Sequence, residues 1–271
     1  MANSKNNNSI IHYLPIYGCF STAIIYISVG VIAILSYFKV KDGGADESSF
    51  VAYLDKYFIG KIVIWIILLG TVSYIIWRLY ESIKDPYGYG NQLKGIITRW
   101  GIAFSTIADA LIVFSTIQIL LGAGNIQQNG DPIEQRKIVH NMLETIYGQP
   151  LLIAIGSIIV ITSLVQLFYG VTNGYKERMD TENFSKALRK CIPPLAWLGF
   201  ISRGIIIGII GIFFIKAAIL HDSNFIVNTD KAFNYIGEHI GHFYFILVAL
   251  GTICYGVFTI TLGIAYDCDK D

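Results

Sequence analysis

The chain has 271 residues, of which 54% are hydrophobic and 14% charged, with a mean hydropathy of +0.56 and a formal net charge of +1. So little polar surface cannot cover a soluble globule of this size, which excludes a soluble enzyme and identifies a membrane protein. The near-neutral balance also excludes the basic footprint of a nucleic-acid binder.

A membrane-spanning helix takes about 20 mostly apolar residues, and six stretches qualify: 16–38, 60–82, 99–121, 148–171, 194–216 and 240–264. The polar, Asn-rich start (1–15) precedes an apolar run longer than a signal-peptide core and lacking a small-residue cleavage site, so the first span reads as an uncleaved anchor. The expected layout is a tail (1–15), a hairpin (16–82), a cytoplasmic linker (83–98), a second hairpin (99–171), a second linker (172–193), a third hairpin (194–266) and a short tail (267–271). None of these connections has room for a soluble catalytic domain.

Orientation follows from the cations. Lys5, Arg78, Lys84, Lys94, Arg99, Lys176, Arg178, Lys186, Arg189, Lys190 and Lys270 fall on one side of the spans; Lys39, Lys41, Lys56, Lys61, Arg136, Lys137, Lys216 and Lys231 fall on the other. The richer side is cytoplasmic by the positive-inside rule, which puts both termini inside. Cys19, Cys191, Cys254 and Cys268 form no CxxC pair, and Cys191 and Cys268 face the reducing side, so disulfides are not expected.

The chain repeats itself. GCFSTAIIYISVGV from Gly18 aligns with GFISRGIIIGIIGI from Gly199, pairing Ser21 with Ser202, Thr22 with Arg203 and Gly30 with Gly211. GIAFSTIADALIVF from Gly101 fits with a one-residue shift that matches Ser105 and Thr106 to Ser21 and Thr22. The second helices align from Gly60, Gly148 and Gly241, so that Tyr74, Thr162 and Tyr255 share one position and Arg78, Gln166 and Thr259 the next turn. Each outer connection carries an amphipathic stretch with a helix start signal: Ser49, Asp131 followed by Pro132, and Thr229 or Asp230. The expectation is an all-α membrane protein of three tandem hairpins, related by a pseudo-threefold axis along the membrane normal, with a short interfacial helix in each outer loop.

Three hairpins that open on Gly-aromatic-x-small-Arg-Gly, as in Gly199-Phe200-Ile201-Ser202-Arg203-Gly204, with a second helix entered through Gln149-Pro150-Leu151, resemble the bacterial membrane family catalogued as domain of unknown function 1206. The likeness covers nearly the whole chain after residue 15, and it departs from the pattern at Thr22 and Thr106, which stand where the Arg is expected. The resemblance implies six helices in a cytoplasmic membrane and supplies no catalytic residues.

Polar groups within spans must face a partner or a cavity. Ser105, Thr106, Asp109 and Thr116 fall within about 60° of one line on their helix. Gly204, Gly208 and Gly211 make a small-residue stripe with Arg203 about a quarter turn away. The other spans carry Thr71, Tyr74 and Arg78; Thr162, Ser163, Gln166 and Tyr169; Thr252, Tyr255 and Thr259. Arg203 and Asp109 both lie roughly 14 Å above the cytoplasmic boundary at the helical rise. An isolated charge at that depth costs about 3 kcal/mol or more, so an Asp109–Arg203 pair is expected, either locking two helices in register or forming part of a polar pathway.

His239 and His242 stand three apart with His140 in another outer loop, but no further ligand cluster stands at matching spacing, so interfacial histidines are expected and neither metal nor cofactor. Trp65, Trp77, Trp100 and Trp197 include three near predicted span ends, as an aromatic belt requires. No phosphate-binding, dinucleotide, zinc-protease or nucleophile-elbow motif occurs in a usable place, and Ser202 lacks a base. DTENFSKALRKCIPP reads as a cytoplasmic amphipathic helix whose Lys186, Arg189 and Lys190 meet anionic lipid. The short loops and the glycine stripe favour a non-enzymatic scaffold or accessory subunit binding lipid and other membrane proteins; a solute or ion pathway through the polar interior, and a redox or lipid-handling protein using the outer histidines, are the other readings.

Overall fold

The computed structural model describes residues 8–38, 45, 47–85, 88–93, 95–96, 99–100, 102–103, 106, 117, 131–179 and 184–265. Among them, five helices are long and apolar enough to cross a membrane: the Tyr13–Tyr37 part of α1 (Asn8–Tyr37), α3 (Phe58–Lys84), α5 (Gly148–Thr172), α6 (Lys186–Leu220) and α8 (His242–Ile264). The remaining expected span, 99–121, falls mostly outside the described residues.

Two helices are longer than the apolar pattern indicates. α1 begins at Asn8, so the polar tail supplies its first turns and Pro15 is buried within it. α6 begins at Lys186 behind a Ser185 cap, whose hydroxyl accepts the Leu188 N–H at 3.3 Å, and runs on through Pro193 and Pro194. The segment 186–194 is therefore continuous with the span. Two interior prolines remove backbone donors opposite Arg189 and Lys190, residues that are exposed, so water can serve the freed carbonyls.

Short helices lie between the spans at one end of the bundle: α2 (Glu47–Asp55), α4 (Ile133–Leu143) and α7 (Thr229–Tyr235). Their caps differ from the sequence expectation. α2 starts before Ser49; Asn228, not Thr229 or Asp230, caps α7 by accepting the Lys231 N–H at 3.1 Å. Pro132 takes the cap position of α4, because the Asp131 carboxylate instead meets Lys231 Nζ at 2.9 Å, tying the connections that hold α4 and α7 together. That ammonium hydrogen bond holds the Asp131 carboxyl below the ordinary carboxylate range.

Helix packing follows the small residues. A Cβ built on Gly18 would lie 2.6 Å from the Tyr74 ring, and one on Gly70 would collide with Ser21 Oγ; the aligned positions repeat both contacts, Gly199 against Tyr255 and Gly251 against Ser202. These join α1 to α3 and α6 to α8. Contacts between hairpins match as well. Gly30 packs on Ile253 as Gly211 packs on Val160; Gly263 meets Cys19 as Gly170 meets Phe200. Gly256 rests on Ala23 and Ile27, and at the aligned place Ser163 donates to the Gly204 carbonyl at 2.7 Å. Close backbone approach of this kind is what drives helix association where lipid supplies no hydrophobic force.

The turns that follow α2 and α4 show the same kinship, and the one that follows α7 is the exception. Gly60 abuts the Leu54 carbonyl and Gly148 the Met142 carbonyl, each so close that an added Cβ would collide. The third turn is built differently: a single π turn, Ile236–Ile240, leads to Gly241 at φ 129°, a conformation side chains rarely adopt.

Candidate functional site

Arg203 sits on α6 where α1 and α8 converge. Its Nη1 donates to the Tyr255 hydroxyl, and its guanidinium carbon lies 4.8 Å from the centre of the Tyr255 ring and 5.0 Å from that of Tyr26 on α1. The two tyrosine rings meet edge to face at 5.0 Å and 82°. Phe200 and Phe258 close the cluster around Tyr255, with Phe200 in turn against Tyr169 at 5.1 Å. A cation on a desolvated ring face gains about 2 kcal/mol, so two rings offset much of the cost of holding an arginine in a span. One side chain thereby joins three helices.

The aligned tyrosine of the first hairpin carries its own cation. Arg78, one turn on from Tyr74 along α3, lies 5.6 Å from that ring and 3.6 Å from Glu81, whose carboxylate is completely buried. The Tyr89 hydroxyl donates to Glu81 Oε1 at 3.2 Å. Beyond α3, Asp85 turns in the left-handed region at φ 53° and accepts from the backbone N–H groups of Tyr89 and Gly90 at 2.7 and 2.8 Å. Arg99 then reaches back, donating from Nε to the Ser82 carbonyl at 2.7 Å and from Nη2 to that of Ile83 at 2.8 Å, so it caps the free carbonyls of the α3 C-terminus.

Of the expected polar cluster, the described residues bring Arg203 to Tyr255 and Arg78 to Tyr74. Asp109 and Ser105, with Thr116, lie outside the described residues. The hydroxyls face carbonyls: Thr71 donates to Ile67, Thr106 to Ile102, Thr162 to Ile158, Thr252 to Val248 and Thr259 to Gly256, all at 2.7–2.9 Å. All but Thr162 are buried. Gln166 is half-buried, and its Oε1 has no hydrogen-bond partner among the described residues.

Tyr26, Glu81 and Tyr89 belong to these groups and escaped the sequence reading. Glu81 was findable, standing three residues after Arg78 on one helical face. Tyr26 was not, because its role comes from a neighbouring hairpin. These three histidines are scattered: His239 stacks on Tyr235 at 4.4 Å, His242 tilts against Tyr37 at 5.5 Å, and His140 faces Glu144 at 3.4 Å. No three His, Cys, Asp or Glu gather for a metal among the described residues.

The unshifted register suits the second hairpin better than the one-residue shift. Ile102 and Thr106 are buried, as are Cys19 and Ala23 in the first hairpin and Phe200 and Gly204 in the third. Ser82 donates to the Arg99 carbonyl at 2.9 Å where the aligned Gly263 faces that of Ile16.

The chain is similar to an uncharacterized protein, YxxB, of Bacillus subtilis (strain 168), with 28% identity over 249 residues that cover 91% of this chain and 88% of the relative. No solved structure matches. The sequence model of the Domain of Unknown Function (DUF1206) matches twice, at residues 17–85 and 198–265. Those two stretches are the hairpins whose Gly-Tyr and Ser-Gly contacts coincide and whose tyrosines each hold a cation, and the chain belongs to that family.

Proposed function

We propose that the protein is a non-enzymatic scaffold or accessory subunit of the bacterial cytoplasmic membrane, with six spans in three hairpins around a pseudo-threefold axis, interfacial helices outside and both termini inside. The supporting observation is the use of the stripe hydroxyls. Thr71, Thr252 and Thr259 are buried and bonded to carbonyls of their own helices, and Ser163 to Gly204 across an interface, as packing groups do. A water-filled pathway needs such groups turned to the lumen.

The ring arrangement has its own support. The second helix of the third hairpin packs on the first helix of hairpin one, and that of hairpin two on the first helix of hairpin three, through aligned residues. A further application of the same step brings α3 to the span at 99–121 and closes the ring. In the unshifted register Asp109 aligns with Tyr26, whose ring already faces Arg203. An Asp109–Arg203 pair that locks hairpin two to hairpin three belongs to this proposal, since Asp109 is aligned with a residue that meets Arg203.

The test is reconstitution into liposomes together with recovery of the native protein in mild detergent. Stoichiometric co-recovery of one membrane protein, with no ion or solute flux above protein-free vesicles, supports the scaffold. Saturable flux that Arg203→Met changes overturns it in favour of the pathway, a reading to which the buried acceptor of Gln166 gives some weight.

A further inference from the structure

α5 and α6 run antiparallel, Gly156 against Ile215 and Gly170 against Phe200, along a seam that carries no carboxylate. Stretches 145–176 and 183–221 hold no Asp or Glu, whereas Lys176, Lys186, Arg189 and Lys190 gather where α5 ends and α6 begins. The α6 face of Gly204 and Gly208 presses on α5, where Leu167 and Ser163 fill the gap. At 100° per residue Lys186, Lys190 and Trp197 lie on that same face, within about 40°. But α5 stops at Thr172, just past the Gly170–Phe200 contact, so this part of α6 runs on uncovered. Every residue of 185–191 is exposed, and Trp197 is 48% exposed. The 3-10 turn Gly174–Arg178 comes back alongside: Tyr175 and Met179 pack in one buried cluster with Ile192 and Ala196, which holds the exposed Lys176 at the same end. Lys176, Lys186 and Lys190 form no ion pair among the described residues.

Like charges gathered at one end of two helices repel unless an anion lies among them. For a chain with long apolar helices the anion at hand is a lipid headgroup, and the surroundings suit a lipid. An exposed tryptophan at the end of a span sits at headgroup level, and the exposed Phe168 and Val171 near the end of α5 offer apolar surface to acyl chains. We propose that the end of the α5–α6 seam seats an anionic phospholipid, its phosphate held by Lys176, Lys186 and Lys190 beside Trp197. The seat stands apart from the Arg203 layer and does not depend on the scaffold reading. The connection between the two helices supplies Glu177, Asp180 and Glu182 as competing partners. If they take up the ammonium groups, no preference for anionic lipid survives.

The experiment counts lipid retained by the full chain in a neutral detergent, by native mass spectrometry, with dioleoylphosphatidylglycerol against dioleoylphosphatidylcholine and soluble glycerol phosphate as the free-headgroup arm. The expected result is retention of phosphatidylglycerol in preference to phosphatidylcholine and none of glycerol phosphate. That preference should fall about fivefold for each of Lys176→Gln, Lys186→Gln and Lys190→Gln, all exposed positions whose change leaves the packing intact. Lys137→Gln, exposed on α4 beside the other end of α5, should leave it unchanged. Equal retention of the two lipids, a preference that the three lysine variants leave intact or that Lys137→Gln lowers as much, or glycerol phosphate bound as tightly as the lipid would overturn it.

Discussion

Hairpins one and three hold the same tyrosine against the same glycine, yet they bring the cation to it from opposite directions. On Tyr74 it comes from its own helix, as Arg78, with Glu81 one turn away and wholly buried. On Tyr255 it comes from the partner helix, as Arg203, while the positions aligned with Arg78 and Glu81 are Thr259 and Leu262. The first hairpin therefore neutralises its charge locally. The third holds a cation whose other ring belongs to another hairpin, so its charge acts as a joint between hairpins.

The sharpest way to break that contrast is to give hairpin one the residues of hairpin three. Glu81→Leu, leaving Arg78 without its buried carboxylate, should cost about 3–5 kcal/mol, and adding Arg78→Thr should restore most of it, because an orphaned buried charge costs more than a missing pair. Thermal unfolding in detergent reads both; equal losses would show that the two residues are energetically independent. The corresponding change in hairpin three is Arg203→Met, with an expected loss of about 3 kcal/mol when Asp109 remains and clearly less in the Arg203→Met/Asp109→Asn double variant. If the double variant is as unstable as the single, the joint between hairpins two and three is not an ion pair.

A smaller effect tests the ring layer. Tyr255→Phe keeps the aromatic face under Arg203 and removes only the hydroxyl, so about 1–2 kcal/mol should be lost. A loss as large as that of Arg203→Met would assign the joint to the hydrogen bond instead of the rings.

The smallest effect lies outside the spans, where the comparison is between the connections that hold α4 and α7. The Asp131 carboxyl titrates lower when folded, so its stabilisation is present above the unfolded value and disappears as pH falls through the folded one. With both partners about a third exposed, screening limits Asp131→Asn to less than ~1 kcal/mol at neutral pH and to nothing in strong acid. Stability curves of the two proteins against pH should converge at the acid end; a gap that persists there would mean Asp131 acts through packing and not through charge.

Much of the local order was legible. Hydropathy marked the spans in which five helices lie, and the alignment paired Gly18 with Gly199 and Tyr74 with Tyr255, positions whose mutual contact only the structure revealed and which repeats because a small residue and the side chain filling its gap must keep register together. Helix ends were less legible. The run of Lys186 to Pro194 is polar and ends in two prolines, yet it is one helix with the span behind it, since backbone groups freed near water carry little cost.

What the sequence determined by itself, then, is a membrane protein of long apolar helices with small residues at their seams: lipid tolerates no unsatisfied backbone, so length, apolarity and glycine spacing leave few alternatives. Only tertiary structure decided who meets Arg203. Tyr26 is an ordinary aromatic in its own helix and becomes half of the cation's seat when another hairpin swings alongside, and Asp230 reads as a helix cap until Ala45, from a distant loop, hands it a backbone hydrogen. Contacts between hairpins leave no local pattern, because the physical constraint on them is the closeness of surfaces far apart in the chain.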